Sequence, residues 1–131
     1  MSLTPYLFFQ GTCAAAMTAY AGLFGTGPLV VNRMSDGPPG MPVPAGKENW
    51  VMHAMLPVAG GMLYASDDIE GGTPAMQGAS LMLEFPTFAQ AETVFDALAK
   101  GGEVRMPFAA QFWTPGFGAL TDAWGIRWMI G

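Results

Sequence analysis

The chain repeats a pattern at an interval of 75 residues. Sliding the sequence by that interval matches four pairs: Ala16 with Ala91, Thr18 with Thr93, Tyr20 with Phe95, and Leu23 with Leu98. Each matched stretch follows a short strand-like segment and precedes several more. Self-similarity at a fixed interval is typical of a duplicated supersecondary unit. The repeat predicts an α+β fold with two βαβββ modules, about 4–66 and 79–131, inside one domain of residues 1–131.

Two such modules are expected to form a curved mixed sheet around a cup, with the helices outside. Thr12 and Gly25 mark the ends of a predicted helix at 13–24, and a second is predicted at 88–100. The predicted strands are 6–9, 28–34, 50–58, 62–66, 80–85, 104–110, 117–122 and 126–130. Residues 35–48 are rich in Pro and Gly and are predicted to form an irregular loop over the cup.

Composition limits the classes of partner. The net charge of −5 and the shortage of Lys and Arg weigh against nucleic acid and anionic membranes. Gln10, Gly11 and Thr12 interrupt the uncharged stretch 1–32, so no membrane span is expected there. A single cysteine, Cys13, and the lack of a basic leader favour a cytoplasmic location. Hydrophobic residues make up 51% of the chain, which indicates apolar surface used for binding.

The two predicted helices differ in charge. Glu92, Asp96 and Lys100 form a charged stripe on the second helix. The repeat-equivalent positions of the first are Met17, Ala21 and Gly25, and no residue of that helix is charged. We therefore expect the outer face of helix 13–24 to be covered by a second subunit, in a homodimer.

Ordered blocks along the whole chain carry a family resemblance. They include the segments 5–9, 16–20, 52–54, 62–67, 95–102 and 124–128. The chain resembles the PhnB-like branch of the vicinal oxygen chelate superfamily, which also holds glyoxalase I, extradiol dioxygenases, and fosfomycin and bleomycin resistance proteins. The resemblance implies the two-module fold, a cup for a small molecule and a dimer.

The resemblance also implies where a metal would be held. Metal-dependent relatives take four ligands from the first and last strands of each module, which correspond to about Pro5, Tyr64, Ser80 and Met129. None of these is an ordinary ligand for a divalent ion, so no metal or other cofactor is expected. Chains of this branch often carry a methyltransferase label. The glycine-rich segment 22–27 follows a helix and leads into a strand, the reverse of a nucleotide-binding loop.

Several residues are candidates for the site, each with a structural alternative. His53 is either a general base or a structural group. Strand alternation puts Ser80, Met82 and Glu84 on one face, and Arg127 with Met129 on another strand. Glu84 is a second candidate base, and Glu84 and Arg127 are expected to pair with each other or with a ligand unless they lie in water at the rim.

Two aromatic residues complete the list of candidates. Tyr64 either orients a ligand oxygen or caps the core. Trp113, next to Phe112 in a predicted turn, is a wall of the binding site, a dimer contact or part of the core. Cys13 lies in the first helical turn, where the dipole lowers a thiol pKa, although packing is the favoured role.

The sequence thus predicts metal-independent binding of a small, partly apolar molecule. The alternative is a lyase, isomerase or dioxygenase-type enzyme of the same superfamily.

Overall fold

The computed structural model describes residues 1–131, which form two compact units, Met1–Thr73 and Pro74–Gly131. The first unit contains β1 (Tyr6–Phe9), α1 (Cys13–Phe24), β2 (Val30–Arg33), β3 (Val51–Val58) and β4 (Gly61–Asp67). The second contains β5 (Leu81–Leu83), α2 (Phe88–Ala99), β6 (Glu103–Gln111), β7 (Thr114–Thr121) and β8 (Arg127–Ile130). The predicted α+β class and the two βαβββ modules are confirmed. That the modules form a single domain stays a prediction.

Both units have the same sheet topology. The strand order is β1-β4-β3-β2 in the first sheet and β5-β8-β7-β6 in the second. β1 runs parallel to β4, β5 runs parallel to β8, and the remaining neighbours are antiparallel. The helices begin at equivalent positions of the repeat and are both 12 residues long. Neither has the length and apolar character that crossing a membrane requires.

Each helix packs one apolar side against its own sheet. The buried residues are Cys13, Ala16, Met17 and Tyr20 in α1, and Ala91, Val94, Phe95 and Leu98 in α2. Both sets have the i, i+3, i+4, i+7 spacing of a helix with one buried face.

The prediction that Met17 lies on the outer face of α1, covered by a second subunit, is wrong. Its side chain is fully buried in the first unit, whereas the repeat-equivalent Glu92 is exposed as predicted. The buried set of α1 begins three repeat positions earlier than that of α2, which at 100° per residue turns the buried face by about 60°. The exposed side of α1 instead carries Ala15, Thr18 and Gly22.

Glycine lets α2 approach β7 closely. A Cβ atom at Gly118 would lie 2.6 Å from Cε2 of Phe95, and one at Gly116 would lie 2.7 Å from Cζ of Phe108. Because Gly116 and Gly118 have no side chains, the rings of Phe95 in α2 and Phe108 in β6 pack directly against the backbone of β7.

Most predicted boundaries agree with the structure to within a few residues. β2 and β5 are shorter than predicted and β6 is longer, because it continues through Gln111. The segment predicted to be irregular from residue 35 begins inside a single 3₁₀ turn, Met34–Asp36.

The β3–β4 hairpin closes through Ala59 and Gly60, in the gap between the predicted strands 50–58 and 62–66, and β4 already begins at Gly61. Both residues have positive φ, 50° and 78°, as a two-residue type I′ turn requires. Ala59 is the only residue other than glycine in this conformation, which brings Cβ too close to the next carbonyl oxygen.

We predict that Ala59→Asn stabilises the protein by about 0.5–1 kcal/mol, because Asn tolerates positive φ and Asn-Gly is the preferred pair in this turn. Ala59→Val is expected to destabilise it by about 1 kcal/mol or more, since a β-branched side chain is disfavoured there. Urea denaturation measures both. A destabilised Asn variant would contradict this account of the turn.

A buried carboxylate joins the start of α1 to the sheet. Oδ1 of Asp67, at the end of β4, accepts hydrogen bonds from the backbone N–H groups of Gly11 (2.8 Å) and Cys13 (3.1 Å). Oδ2 accepts one from Val51 (2.8 Å), the first residue of β3. The side chain of Thr12 makes no capping hydrogen bond, and Asp67 is the acceptor for the first N–H of the helix, at Cys13, and for that of Gly11 just before the N-cap.

We predict that Asp67→Ala lowers the free energy of unfolding by about 2–4 kcal/mol, because it leaves buried N–H donors without an acceptor. Asp68→Ala is the matched control. The Asp68 carboxylate lies at the surface and is hydrogen-bonded to Thr73, so its loss is expected to cost far less than the loss of Asp67. Equal losses in the two variants would show that Asp67 does not hold α1 to the sheet.

Candidate functional site

The face of the first sheet opposite α1 carries exposed aromatic side chains. Leu7 and Phe9 of β1 are buried, whereas Tyr6 and Phe8 between them are 40% and 52% exposed. The alternation follows from the strand period of two, which sends neighbouring side chains to opposite faces. α1 covers only one of these faces, so Tyr6 and Phe8 on the other stay partly exposed.

Three residues of this face form a cluster. Oη of Tyr6 lies 3.1 Å from Nδ1 of His53, and their rings are stacked with 5.7 Å between centroids. The Tyr64 ring meets His53 edge-on at 5.0 Å and Tyr6 edge-on at 6.3 Å. We call Tyr6, His53 and Tyr64 the aromatic cluster. It combines apolar ring surface with a phenol and an imidazole, groups that can orient a polar atom of a ligand.

The predicted candidates His53 and Tyr64 are therefore neighbours, although their role in binding stays a prediction. Tyr6 was missed, because the position derived from the resemblance was Pro5. The register pairs Tyr6, not Pro5, with Tyr64, and the alternation puts Pro5 on the α1 side. A residue pair 47 positions apart leaves no local pattern in a sequence, so only the β1–β4 pairing reveals Tyr6 as a partner of His53.

In the second sheet, the face opposite α2 carries the other candidates. Met82 is 49% exposed, and its register partner in β8 is Met129. Trp128 and Ile130, the neighbours of Met129, are buried on the α2 side. The same alternation gives Arg127 the direction of Met129 within β8. Ser80 and Glu84 lie just outside β5, so their sharing of a face with Met82 stays a prediction.

The two charged candidates do not pair with each other. Nε of Arg127 donates to the backbone carbonyl of Ala79 at 2.9 Å. Glu84 lies one residue beyond β5, beside Gly131 at the far end of β8 from Arg127. Four residues of strand separate these positions, or about 13 Å. Of the alternatives expected for Glu84 and Arg127, this distance rules out a mutual ion pair, and pairing with a ligand or a position in water at the rim stay predictions.

Trp113 and Phe112 are the two residues of the β6–β7 turn, where the sequence places them. Phe112 is 99% exposed, and Trp113 packs edge-on against Phe117 of β7 with 5.8 Å between centroids. Phe117 belongs to the face of Met82, since a Cβ on Gly131 would touch the side chains of both. Trp113 is 55% exposed and therefore not part of the core, and whether it is a wall of the binding site or a dimer contact stays a prediction.

The side chains at the family's metal positions do not fit a metal. With Pro5 corrected to Tyr6, the positions hold two phenols, a hydroxyl and a thioether, none of which is an ordinary ligand for a divalent ion. No three His, Cys, Asp or Glu side chains of the chain lie together in a group that could hold one. No step through a metal follows from these residues.

Cys13 has the properties of a packing residue. Burial, together with the nearby Asp67 carboxylate, raises the pKa of its thiol from 9.0 to about 12, although Arg33 acts in the opposite direction. The expected lowering of this pKa by the helix dipole is outweighed, because the thiol is fully buried.

The raised pKa of Cys13 predicts a pH effect on stability. Above pH 9 the thiol ionises in the unfolded chain while it stays protonated in the folded one, so stability falls as the pH rises from 9 towards 12. We expect wild type to lose more stability than Cys13→Ala between pH 8.5 and about 10.5 in urea denaturation. Parallel pH profiles for the two proteins would contradict the raised pKa.

Comparison with solved structures defines the class of protein. A glyoxalase/bleomycin resistance protein from Albidiferax ferrireducens T118 superposes with a TM-score of 0.64 over 98% of this chain and 96% of that one, at 16% identity. At this identity the likeness shows the fold alone. The chain has the glyoxalase/bleomycin-resistance-like fold of the vicinal oxygen chelate superfamily.

The family follows from more similar proteins. The family model described as 3-demethylubiquinone-9 3-methyltransferase matches residues 1–131, and the chain belongs to this family. Protein YjdN of Escherichia coli (strain K12) is 31% identical over 99% of this chain and 94% of its own length.

Two solved structures agree with this assignment. Protein PA1353 from Pseudomonas aeruginosa has a TM-score of 0.87 at 36% identity, covering 98% of this chain and 95% of that one. A putative 3-demethylubiquinone-9 3-methyltransferase, PhnB protein, from Bacillus cereus has a TM-score of 0.84 at 28% identity, covering 98% and 97%. The resemblance to PhnB-like proteins is confirmed.

Proposed function

We propose that the chain binds a small, partly apolar molecule without a metal ion. The observation that carries this proposal is the exposure of large apolar side chains on the helix-free face of each sheet, with Phe8 and Met82 about half exposed. Apolar surface of this kind, interrupted by a few polar groups, is typical of ligand sites.

The polar groups on these faces are few and spaced apart. The first face offers Tyr6 and His53. The second offers the guanidinium of Arg127, whose Nε donates to the carbonyl of Ala79 and whose other nitrogens can donate to a ligand oxygen. Tyr64, Ser80, Met82, Glu84, Trp113 and Met129 remain our proposed contacts. Binding requires only a complementary surface, which either face could provide.

Methyl transfer, the activity in the name of the family model, has less support from this chain. A methyl donor with a nucleoside is usually bound where a strand leads through a glycine-rich loop into a helix. Here the glycine-rich segment 22–27 connects the end of α1 to β2, so it presents the wrong end of the helix. We derive no step through such a donor.

We also propose that the protein is a cytoplasmic homodimer. The exposed side of α1 carries the small residues Ala15, Thr18 and Gly22 and no charge, which lets a second copy approach its backbone closely. The proposed interface is therefore this corrected side of α1 and not the side of Met17. One buried cysteine that forms no disulfide supports a reducing compartment.

Binding of the fluorescent probe 1-anilinonaphthalene-8-sulfonate tests the proposed function. We predict that Phe8→Glu weakens binding of the probe to the first face, and Met82→Glu its binding to the second, each by about tenfold or more, because each puts a charge where apolar surface contacts the probe. Leu3→Glu is the matched control: it makes the same charge change at a fully exposed position outside both sheets, and its affinity should stay within about twofold.

Circular dichroism of each variant would check that the fold is intact. Equal affinities for wild type and all three variants would contradict the proposal that the helix-free faces bind apolar ligands.

A further inference from the structure

His53 is the only histidine of the chain, and its hydrogen bond to Tyr6 determines what it can do for a ligand. The bond joins Nδ1 to the phenol oxygen at 3.1 Å. A neutral imidazole has one nitrogen that donates and one that accepts, so the direction of this bond decides the role of Nε2.

The chemistry of the two groups favours Tyr6 as the donor. A phenol O–H is more acidic than an alcohol O–H and hence a strong donor, whereas its oxygen lone pair is delocalised into the ring and accepts weakly. The unprotonated imidazole nitrogen is a good acceptor. Tyr6 therefore donates to Nδ1, and the proton of the neutral His53 ring resides on Nε2.

We infer that His53 is a hydrogen-bond donor to ligand rather than a general base, and that Tyr6 is the positioning residue that fixes this tautomer. With Nδ1 occupied by Tyr6, only Nε2–H is left to meet a ligand, and it requires an oxygen acceptor. The opposite tautomer would leave a lone pair on Nε2 and keep the general-base role open.

The surroundings define the rest of the ligand. Tyr6 and Tyr64 place ring surface beside the imidazole, and Phe8 extends it, because its ring centroid lies 5.0 Å from that of Tyr6. Flat apolar groups pack well against such rings. The preferred ligand is therefore a planar apolar molecule that carries a carboxylate or carbonyl oxygen. This inference rests on the proposed function, since it describes what the first helix-free face binds.

Nitrogen-15 NMR of the imidazole tests the tautomer directly, and with one histidine the assignment is unambiguous. We expect Nδ1 without a proton and Nε2 with one, measured at a pH where the ring is neutral. Tyr6→Phe is expected to shift the Nδ1 resonance, because it removes the hydrogen bond. The matched control Tyr64→Phe removes a hydroxyl that makes no bond to His53 and should leave Nδ1 unchanged. A proton on Nδ1 in wild type would overturn the inference.

Two probes of opposite hydrogen-bond polarity test the ligand class, with the His53 Nε2 resonance as readout. We expect benzoate, an acceptor, to bind more tightly than benzylamine, whose ammonium group donates. The net charge of −5 opposes this preference, so nonspecific attraction cannot produce it. Tyr6→Phe should weaken benzoate binding about threefold to tenfold, the range of one hydrogen bond, whereas Thr93→Ala, which removes an exposed hydroxyl from α2, should change it by less than twofold.

The outcomes separate this inference from the proposed function. Tighter binding of benzylamine would overturn the inference while leaving apolar binding intact. If neither probe perturbs His53 although the naphthalene probe binds in a Phe8-dependent way, the oxygen-acceptor ligand class is overturned and the proposed function stands. If the naphthalene probe also fails to bind, the proposed function fails.

Discussion

The structure depends on having four sheet faces and only two helices to cover them. Each four-stranded sheet has two faces, because strand side chains alternate, but each unit supplies a single helix to cover them. The covered faces form the core: Leu7 and Phe9 in the first unit and Trp128 and Ile130 in the second. The opposite faces keep apolar residues that no helix of the unit buries. A sheet face that only meets water usually carries polar residues, and this difference is the basis of the proposed binding.

The anchoring of α1 shows how the covered face is held. Asp67 takes hydrogen bonds from three backbone donors in two separate segments, and it does so from a position that is 4% exposed. A carboxylate at a helix N-terminus also interacts favourably with the helix dipole. Because this one side chain connects α1, β3 and β4, it defines where the helix lies and thereby which strand face stays open.

The sequence predicts the elements well because they depend on local patterns. α1 was placed correctly from Thr12 and Gly25, and the hairpin from Ala59 and Gly60. What failed depended on tertiary packing. The rotation of α1 that buries Met17 is set by the sheet beneath it. The Tyr6–His53 hydrogen bond joins residues 47 positions apart, and Asp67 accepts from Gly11 and Cys13, which lie 56 and 54 positions away.

The side chains at the family's metal positions separate this chain from metal-dependent relatives that have the same fold. We propose that its helix-free faces bind a small molecule through apolar contacts and a few hydrogen bonds, with no divalent ion. Native mass spectrometry of the purified protein, with elemental analysis of the same sample, tests this most directly. The account predicts a metal-free protein that retains or takes up a small organic molecule. A stoichiometric divalent ion held by the folded chain would contradict it.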